Sequence, residues 1–292
     1  MRLLLRPIVI VCLLATQLLA SGISRGEEQI TWLEAVAPPF FIHDGPFRGE
    51  GYQDQLTEIL KEHLPQYRHR HLQANISRHY QQWRQGEKAC SIGMYRTLER
   101  EEFAYFSIPS VFSLPPVLII HRDRLADFGD PKSVSLKEIL ISGKLVIGRP
   151  DNRSYGIICD AILDAYGNEH NIFSYEGPEL ATNLFKMLQA GRIDALPGLP
   201  EEAMYLAEQM GIREEIITLP IAEHQNSHDA SLSAVACSKT PWGKTAIAAI
   251  NKVLLEQRPK ERYRAAYERW LDPQSIAEYR RLYDEVFLST SQ

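Results

Sequence analysis

Apolar residues recur at helical spacing in several stretches of the chain, and short strand-like runs separate these stretches. The helix predicted at 52–64 is typical, because its apolar positions share one face and Pro65 ends the pattern. The first unit is predicted to hold strands at 30–42, 67–74 and 89–94 and helices at 52–64 and 77–83, the second helix capped by Ser77. Strands that alternate with helices predict an α/β fold with a mostly parallel sheet. In such folds, ligand sites lie beyond the carboxyl ends of the strands.

The segment 93–109, GMYRTLEREEFAYFSIP, follows the third strand. Thr97 is a suitable N-cap for a helix predicted at 98–105, and the acidic residues of the first turn fit the helix dipole. The dipole disfavours Arg100 there, but beside free N–H groups its guanidinium would complete an anion pocket. Two interpretations are open: Arg100 binds a ligand together with Thr97, or it pairs with a neighbouring glutamate on a solvated surface.

A second α/β unit begins at Ser135, which forms a capping box with Glu138. This unit is predicted to contain strands at 144–148, 172–175, 193–196 and 215–219 and helices at 155–166, 180–188 and 201–210, with Ser154 as the N-cap of the helix at 155–166.

The strand predicted at 231–237 is followed by helices that reach residue 287 and have no strands of their own. We expect them to pack on the first unit, so that the chain crosses between units near 117–124 and near 222–231. Lobe 1 would then comprise 28–120 and 228–292, and lobe 2 would comprise 121–227. Two lobes joined by two adjacent segments form a hinge that lets them close around a small ligand.

Residues 1–22 have the features of a secretory signal peptide: Arg2 and Arg6 precede an apolar run at 8–20 and then small residues. The run is shorter than the roughly 20 residues of a membrane-spanning helix, and no lipidation site surrounds Cys12. We therefore expect an exported, periplasmic protein. Its basic residues are dispersed along the chain, which argues against a nucleic-acid partner.

Three cysteines lie beyond residue 22, so at most one intramolecular disulfide can form. Cys159 falls in a helical pattern and is expected to be a small buried residue. Cys90 and Cys237 both lie in predicted strands and are the expected pair.

Two groups of histidines raise the question of a metal site. His69 and His71 share one face of a strand, and His224 lies near His228 and Asp229. Neither group has a third ligand at suitable spacing, and phosphate-binding and catalytic motifs are not found. No metal or cofactor is expected.

Five motifs resemble, in order and spacing, those of bacterial extracellular solute-binding proteins of family 3, the amino-acid-binding type of periplasmic binding protein. They are Pro38-Pro39-Phe40, Gly51-Tyr52, Gly93-Met94-Tyr95-Arg96-Thr97-Leu98-Glu99-Arg100, Phe106-Ser107-Ile108-Pro109 and Gly191-Arg192-Ile193-Asp194-Ala195. The resemblance covers nearly the whole mature chain. It implies the two-lobed type II periplasmic-binding-protein fold, in which each lobe is a mostly parallel sheet flanked by helices.

The resemblance also implies a binding role without a catalytic residue. Arg100 and Thr97 would hold a ligand carboxylate, and Ser154 would add a hydroxyl from lobe 2. Aromatic side chains would line the cleft, since ligand sites are mostly apolar; the candidates are Phe40, Tyr95 and Tyr155. The ligand would be an amino acid or related organic acid. A monomer that delivers it to a membrane permease, as in an ABC transporter, or to a receptor is expected.

The chain departs from the family pattern at three positions. Ala37 stands where an aromatic often covers the ligand, and Leu199 and Gln55 stand where acids often lie. The acids that usually bind the ligand's ammonium group are therefore not at these positions, although Glu201, Glu202 and Asp54 lie close to them. This leaves a standard amino acid, a modified amino acid, an organic acid or a peptide fragment open.

An enzyme is the alternative class, because the same fold hosts periplasmic dehydratases that act on cyclohexadienyl acids such as arogenate. Glu201 and Glu202 would then be candidate general acids. A ligand-sensing partner of a membrane receptor is a third alternative.

Overall fold

The structure is a computed structural model that describes residues 28–129, 132–150, 153–176, 180–224 and 231–290. The predicted signal peptide lies outside these ranges. Two five-stranded sheets organise the described chain. The strands are β1 (Glu28–Glu34), β2 (Tyr67–Gln73), β3 (Ala89–Met94), β4 (Ala104–Phe112), β5 (Val117–His121), β6 (Ile147–Pro150), β7 (Ile172–Tyr175), β8 (Ala195–Gly198), β9 (Ile216–Pro220) and β10 (Leu232–Ser238).

The two sheets follow the same plan. The first has the order β2-β1-β3-β10-β4, and the second has the order β7-β6-β8-β5-β9. In the first sheet, β10 pairs antiparallel with both neighbours while the other pairs are parallel, and β5 does the same in the second sheet. Four strands of each sheet therefore run in one direction. The exception in each sheet is the strand that enters directly after a crossing between the units.

The first crossing lies earlier in the chain than the sequence indicates. Val117–His121 pairs with β8 and β9, so it belongs to the second sheet and not to the first unit, where the predicted boundary at 120 placed most of it. The reason is burial. Leu118 and Ile120 are fully buried in the core of the second unit, where β8 and β9 flank the strand on its two sides. The connection is thus 113–116. It adjoins the return segment, because Ser113 N donates to Ser231 O at 3.0 Å.

The helices flank the two sheets. They are α1 (Tyr52–Glu62), α2 (Ile76–Arg84), α3 (Leu98–Glu101), α4 (Leu136–Ser142), α5 (Ile157–Tyr166), α6 (Leu180–Gln189), α7 (Pro200–Gln209), α8 (Pro241–Gln257), α9 (Glu261–Glu268) and α10 (Pro273–Leu282). No helix within the described ranges is long and apolar enough to cross a membrane.

Two helix predictions near the first sheet are wrong in detail. Asn75, not Ser77, caps α2, and its side chain accepts a hydrogen bond from Arg78 N. The helix expected at 98–105 ends at Glu101, because Ala104–Phe112 pairs with β10 as a strand. That partner lies more than 100 residues further along the chain, so local patterns do not reveal it.

The C-terminal helices pack on the first unit, as predicted. Ile250, Tyr267 and Phe287 belong to one core with Trp32 and Leu60. They also contact the second unit, since the hydroxyl of Thr218 on β9 donates to the carboxylate of Asp272, the buried N-cap of α10, at 2.6 Å. The last helices therefore join both units.

A disulfide bridges Cys90 and Cys237 and confirms the expected pairing, while Cys159 is free and buried. The two half-cystines face each other across β3 and β10. The bond therefore fastens the returning strand to the centre of the first sheet.

We predict that Cys90→Ala/Cys237→Ala lowers the free energy of unfolding by about 2–4 kcal/mol. The bond closes a loop of 147 residues, which strongly restricts the unfolded chain. Urea unfolding followed by circular dichroism measures the loss, and reduced wild-type protein should unfold like the variant. A loss below about 1 kcal/mol would contradict the prediction.

Candidate functional site

The chain turns sharply near the end of β3, before it reaches the candidate ligand residues. Gly93 has a φ of +75°, and a Cβ at this position would lie 2.0 Å from Nε2 of Gln53 on α1. Only glycine fits this backbone without displacing Gln53. The turn leads to Thr97, which caps α3 as predicted: its Oγ1 accepts a hydrogen bond from Arg100 N at 3.3 Å.

Two uncharged acceptors hold the Arg100 side chain. Its Nε donates to the hydroxyl of Tyr80 at 2.7 Å, and its Nη1 donates to the carbonyl oxygen of Tyr95 at 2.6 Å. The guanidinium carbon also lies 5.5 Å from the centre of the Tyr80 ring. Tyr80 was not among the predicted site residues; its place on α2, opposite the start of α3, is a tertiary feature.

Arg100 forms no ion pair with any residue in the described ranges. The nearby glutamates have other partners: Glu99 pairs with Arg84 at 3.6 Å, and Glu101 pairs with Arg96. The alternative in which Arg100 pairs with a neighbouring glutamate is therefore not observed. A positioned guanidinium without a carboxylate partner is suited to an incoming anion.

The two aromatic candidates of the first unit differ in exposure. Phe40 is half-buried against Tyr52, with ring centres 5.1 Å apart. Its carbonyl oxygen accepts from Gln53 N, which fixes the loop to the start of α1. Tyr95 remains 48% exposed beside Arg100. Of these two, Tyr95 is the more accessible to a ligand.

The predicted role of Ser154 as a helix N-cap is wrong. Helix α5 starts at Ile157 with Gly156 as its N-cap, whose φ of +89° separates Ser154 from the helix. Ser154 Oγ instead donates to Asp160 and accepts from Gly156 N at 3.2 Å. Tyr155 is buried in the core of the second unit beside Cys159 and Leu163.

Arg153 and two glutamates form the charged part of the second unit near these residues. Arg153 pairs with Glu202 and lies 5.5 Å from the centre of the Tyr155 ring. Glu201 follows Pro200 in the first turn of α7, and only 1% of it is exposed. Arg153 was not predicted as a site residue, because its partner Glu202 is 49 residues away in sequence.

Glu201 links the two units through a chain of hydrogen bonds. Its Oε2 accepts from the hydroxyl of Tyr267 on α9 at 2.8 Å, and the Tyr267 oxygen accepts from Leu114 N at 3.0 Å. Burial, with a smaller contribution from the charge of Glu202, raises the pKa of Glu201 to about 8, although hydrogen bonds from its own backbone N–H and from Tyr267 and the charge of Arg153 act to lower it. Glu201 is therefore mostly protonated at neutral pH.

Glu201 faces the first unit as well. Burial raises the pKa of Tyr52 and of Tyr95, and the negative charge of Glu201 is the next largest cause for both. The predicted residues thus fall into two groups: Thr97, Tyr95 and Arg100 are in direct contact, whereas Ser154 and Tyr155 lie on the other unit. In the described chain, no hydrogen bond or ion pair joins one group to the other.

The histidine groups have other partners. Both ring nitrogens of His69 are within hydrogen-bond distance of protein atoms, Nδ1 with Trp32 Nε1 and Nε2 with Leu64 O, each at 3.1 Å. His71 contacts Glu34. Within the described ranges, no group of three or more His, Cys, Asp and Glu residues could hold a metal ion, and His228 and Asp229 lie outside those ranges.

Comparison with solved structures identifies the fold. No family model matches the chain, and no curated protein matches its sequence. A polar amino acid ABC uptake transporter substrate binding protein from Streptococcus thermophilus is 18% identical with a TM-score of 0.62, over 87% of this chain and 91% of that one. Substrate binding domain 2 of Lactococcus lactis GlnP, in its open conformation, is 15% identical with a TM-score of 0.59, over 85% and 96%.

An ancestral cationic amino acid solute binding protein is 16% identical with a TM-score of 0.62, over 84% of this chain and 96% of that one. At these identities the likeness establishes the fold. The chain has the two-lobed type II periplasmic-binding-protein fold, as its motifs implied.

We predict that Glu201→Gln flattens the dependence of stability on pH. Because the pKa is 4.5 for an ordinary glutamate and about 8 for folded Glu201, the folded protein binds more protons than the unfolded chain between these values. Stability from this group is therefore present at acidic pH and is lost as pH rises through the window, by up to about 1.4 kcal/mol per pH unit.

Urea unfolding at pH 5.5 and 7.5 tests this expectation. The exposed Glu256→Gln serves as the matched control and should keep the wild-type difference between the two pH values. An equal pH dependence in Glu201→Gln and wild type would show that Glu201 titrates normally.

Proposed function

We propose that this protein is an exported solute-binding protein that captures a small carboxylate-bearing ligand, an amino acid or related organic acid, between its two lobes. The main support for the proposal is the position and environment of the Arg100 side chain. Its guanidinium lies just beyond the carboxyl end of β3, is held by Tyr80 and Tyr95, and has no carboxylate partner among the described residues. Sites at strand ends are typical of open α/β sheets.

The fold supports this proposal. Solved structures with the same fold are substrate-binding proteins and domains of amino acid ABC transporters. By analogy, the protein would act as a monomer in the periplasm and deliver its ligand to a membrane permease. Lobe 1 would comprise residues 28–112 and those from 232 onward, and lobe 2 would comprise those from 117 to about 224, in accordance with the sheet membership of β5 and β10.

Arg100 and Thr97 would hold the carboxylate, and Tyr95 and Phe40 would line the cleft. Ser154 would contribute from lobe 2 once the lobes close, since its hydroxyl is exposed. On that lobe Glu202 neutralises the charge of Arg153. The charge of Arg100, which has no carboxylate partner among the described residues, favours an acidic group on the ligand.

The geometry of Glu201 argues against an enzyme. A general acid must reach its substrate, but Glu201 is 1% exposed and bonded to Tyr267. Its raised pKa follows from burial between the units. We therefore infer that Glu201 holds the lobes together and does not transfer a proton to a ligand.

A thermal-shift screen of L-amino acids and small organic acids should identify a ligand. At about 100 times its dissociation constant, a ligand adds about 2.7 kcal/mol to the stability of the folded protein. Incubation with prephenate or arogenate in the same series should give no turnover. Turnover lost in Glu201→Gln would instead establish an enzyme.

We predict that Arg100→Ala weakens binding of the identified ligand about 10- to 100-fold, because a hydrogen bond to a charged group contributes about 1.5–3 kcal/mol. Arg96→Ala is the matched control, since Arg96 lies on the same segment, is exposed and pairs with Glu101. Its affinity should remain within about threefold of wild type. Calorimetric titration that gave equal affinities for both variants would exclude the carboxylate site.

A further inference from the structure

The segment 267–275 of the first unit, which includes the link between α9 and α10, is in contact with the second unit. Four side chains of the second unit reach it, and they come from α7, from the turn after α7 and from β9. They are Glu201, Tyr205, Arg213 and Thr218. This segment therefore holds the second unit in place in addition to the two connections.

Two of these contacts lie beside the first connection. Tyr267, which binds Glu201, also accepts a hydrogen bond from Leu114 N at 3.0 Å. Thr218 pairs with Ile119, near the start of β5. A rotation of the units about their connections therefore moves these two contacts little.

The contact of Arg213 lies at the far end of β5. Ile216 pairs with His121, the last residue of that strand, and Arg213 precedes Ile216 by one turn. From Val117 to His121 a strand rises roughly 13 Å. Arg213 is therefore well separated from the first connection.

Arg213 and Tyr205 make specific contacts with the first unit. Nη2 of Arg213 donates to the carbonyl oxygens of Arg269 at 3.2 Å and of Leu271 at 2.9 Å. The ring of Tyr205 meets the fully buried Trp270 edge-on, with ring centres 5.2 Å apart. We call these five residues the outer contact.

The candidate ligand residues show the opposite situation. Among the described residues, no hydrogen bond or ion pair joins Arg100 or Tyr95 to Ser154. Leu98 and Ile157, the first residues of α3 and α5, follow strands of different units and are 86% and 91% exposed. The units must rotate towards each other before one small ligand can touch both sets of candidate residues.

Such a rotation is incompatible with an unchanged outer contact. At roughly 13 Å from the axis, a rotation of about 10° moves an atom by about 2 Å, which is more than a hydrogen bond tolerates. The edge-on ring pair is equally dependent on a short separation. Closure therefore requires the outer contact to break.

We propose that the outer contact holds the two lobes open and opposes their closure around a ligand. This inference rests on the proposed function, because it concerns access to the same cleft. The apparent dissociation constant of a ligand equals the intrinsic constant divided by the fraction of molecules in the binding-competent state. The outer contact therefore lowers affinity, and its removal raises affinity.

Distances between two spin labels in the ligand-free protein test the proposal. The labels are attached through Leu98→Cys on lobe 1 and Ile157→Cys on lobe 2, while Cys159 is fully buried and is not expected to react. Double electron–electron resonance should give mainly a long distance. Adding Tyr205→Ala/Arg213→Ala should increase the population at shorter distance at least tenfold, because the variant loses an aromatic pair and two hydrogen bonds from a charged group.

Tyr166→Ala/Arg149→Ala is the matched control. Arg149 resembles Arg213 in exposure but pairs with Asp164 of its own lobe at 2.9 Å, and Tyr166 packs on the core of the second unit. The control should keep the wild-type distances. Arg213→Gln alone is a milder change and should give a smaller increase in the same direction, so the test does not depend on the stability of the double variant.

An unchanged distribution in Tyr205→Ala/Arg213→Ala, or a shift to longer distances, would overturn the proposal. A shift of equal size in the control would overturn it as well. Because no ligand is added, the result is independent of the thermal-shift screen. A screen without any hit would contradict the proposed function and would leave the measured distances unaffected.

Discussion

The structure depends on the return of β10 to the first sheet. This strand lies between β3 and β4 and is bonded covalently to β3 through Cys90 and Cys237. The first sheet is incomplete until residues 232–238 arrive, so the second unit is an insertion between two halves of the first. The two connections must then lie side by side, as the bond from Ser113 N to Ser231 O shows. The adjacent connections and the packing of the C-terminal helices on the first core follow from this one strand.

The contacts between the units differ in character from the candidate ligand site. Between the units, Glu201, Tyr267 and Leu114 N form a buried chain, and Thr218 binds Asp272. These groups form hydrogen bonds with one another away from water, and burial keeps the Glu201 carboxyl mostly protonated at neutral pH. Arg100 is held by uncharged oxygens instead. Its charge is therefore positioned but not neutralised, which is the condition under which an anion gains most from binding there.

The order of the elements follows from local patterns because each pattern is short-range. Helical spacing ended by proline located α1, and the arrangement of glycine and Thr97 located the turn into α3. Local sequence patterns gave the wrong secondary structure where a partner distant in the chain determined the conformation. The stretch at 104–105 continues a helical pattern in isolation, yet it joins a strand because β10 offers it a hydrogen-bonding edge. Ser154 is likewise not the helix cap, because Gly156 adopts a positive φ and α5 therefore begins only at Ile157.

The sequence by itself determined the α/β class, the double crossing, the disulfide pairing and Arg100 as the candidate anion ligand. These depend on residue type, on spacing and on the ordered set of motifs. Only the tertiary structure decided that β5 belongs to the second sheet, that Tyr80 holds Arg100, and that Glu201 is buried against Tyr267. Each of these contacts joins residues that are distant in the chain. Its energy comes from burial and hydrogen bonding, which exist only after the two sheets have formed.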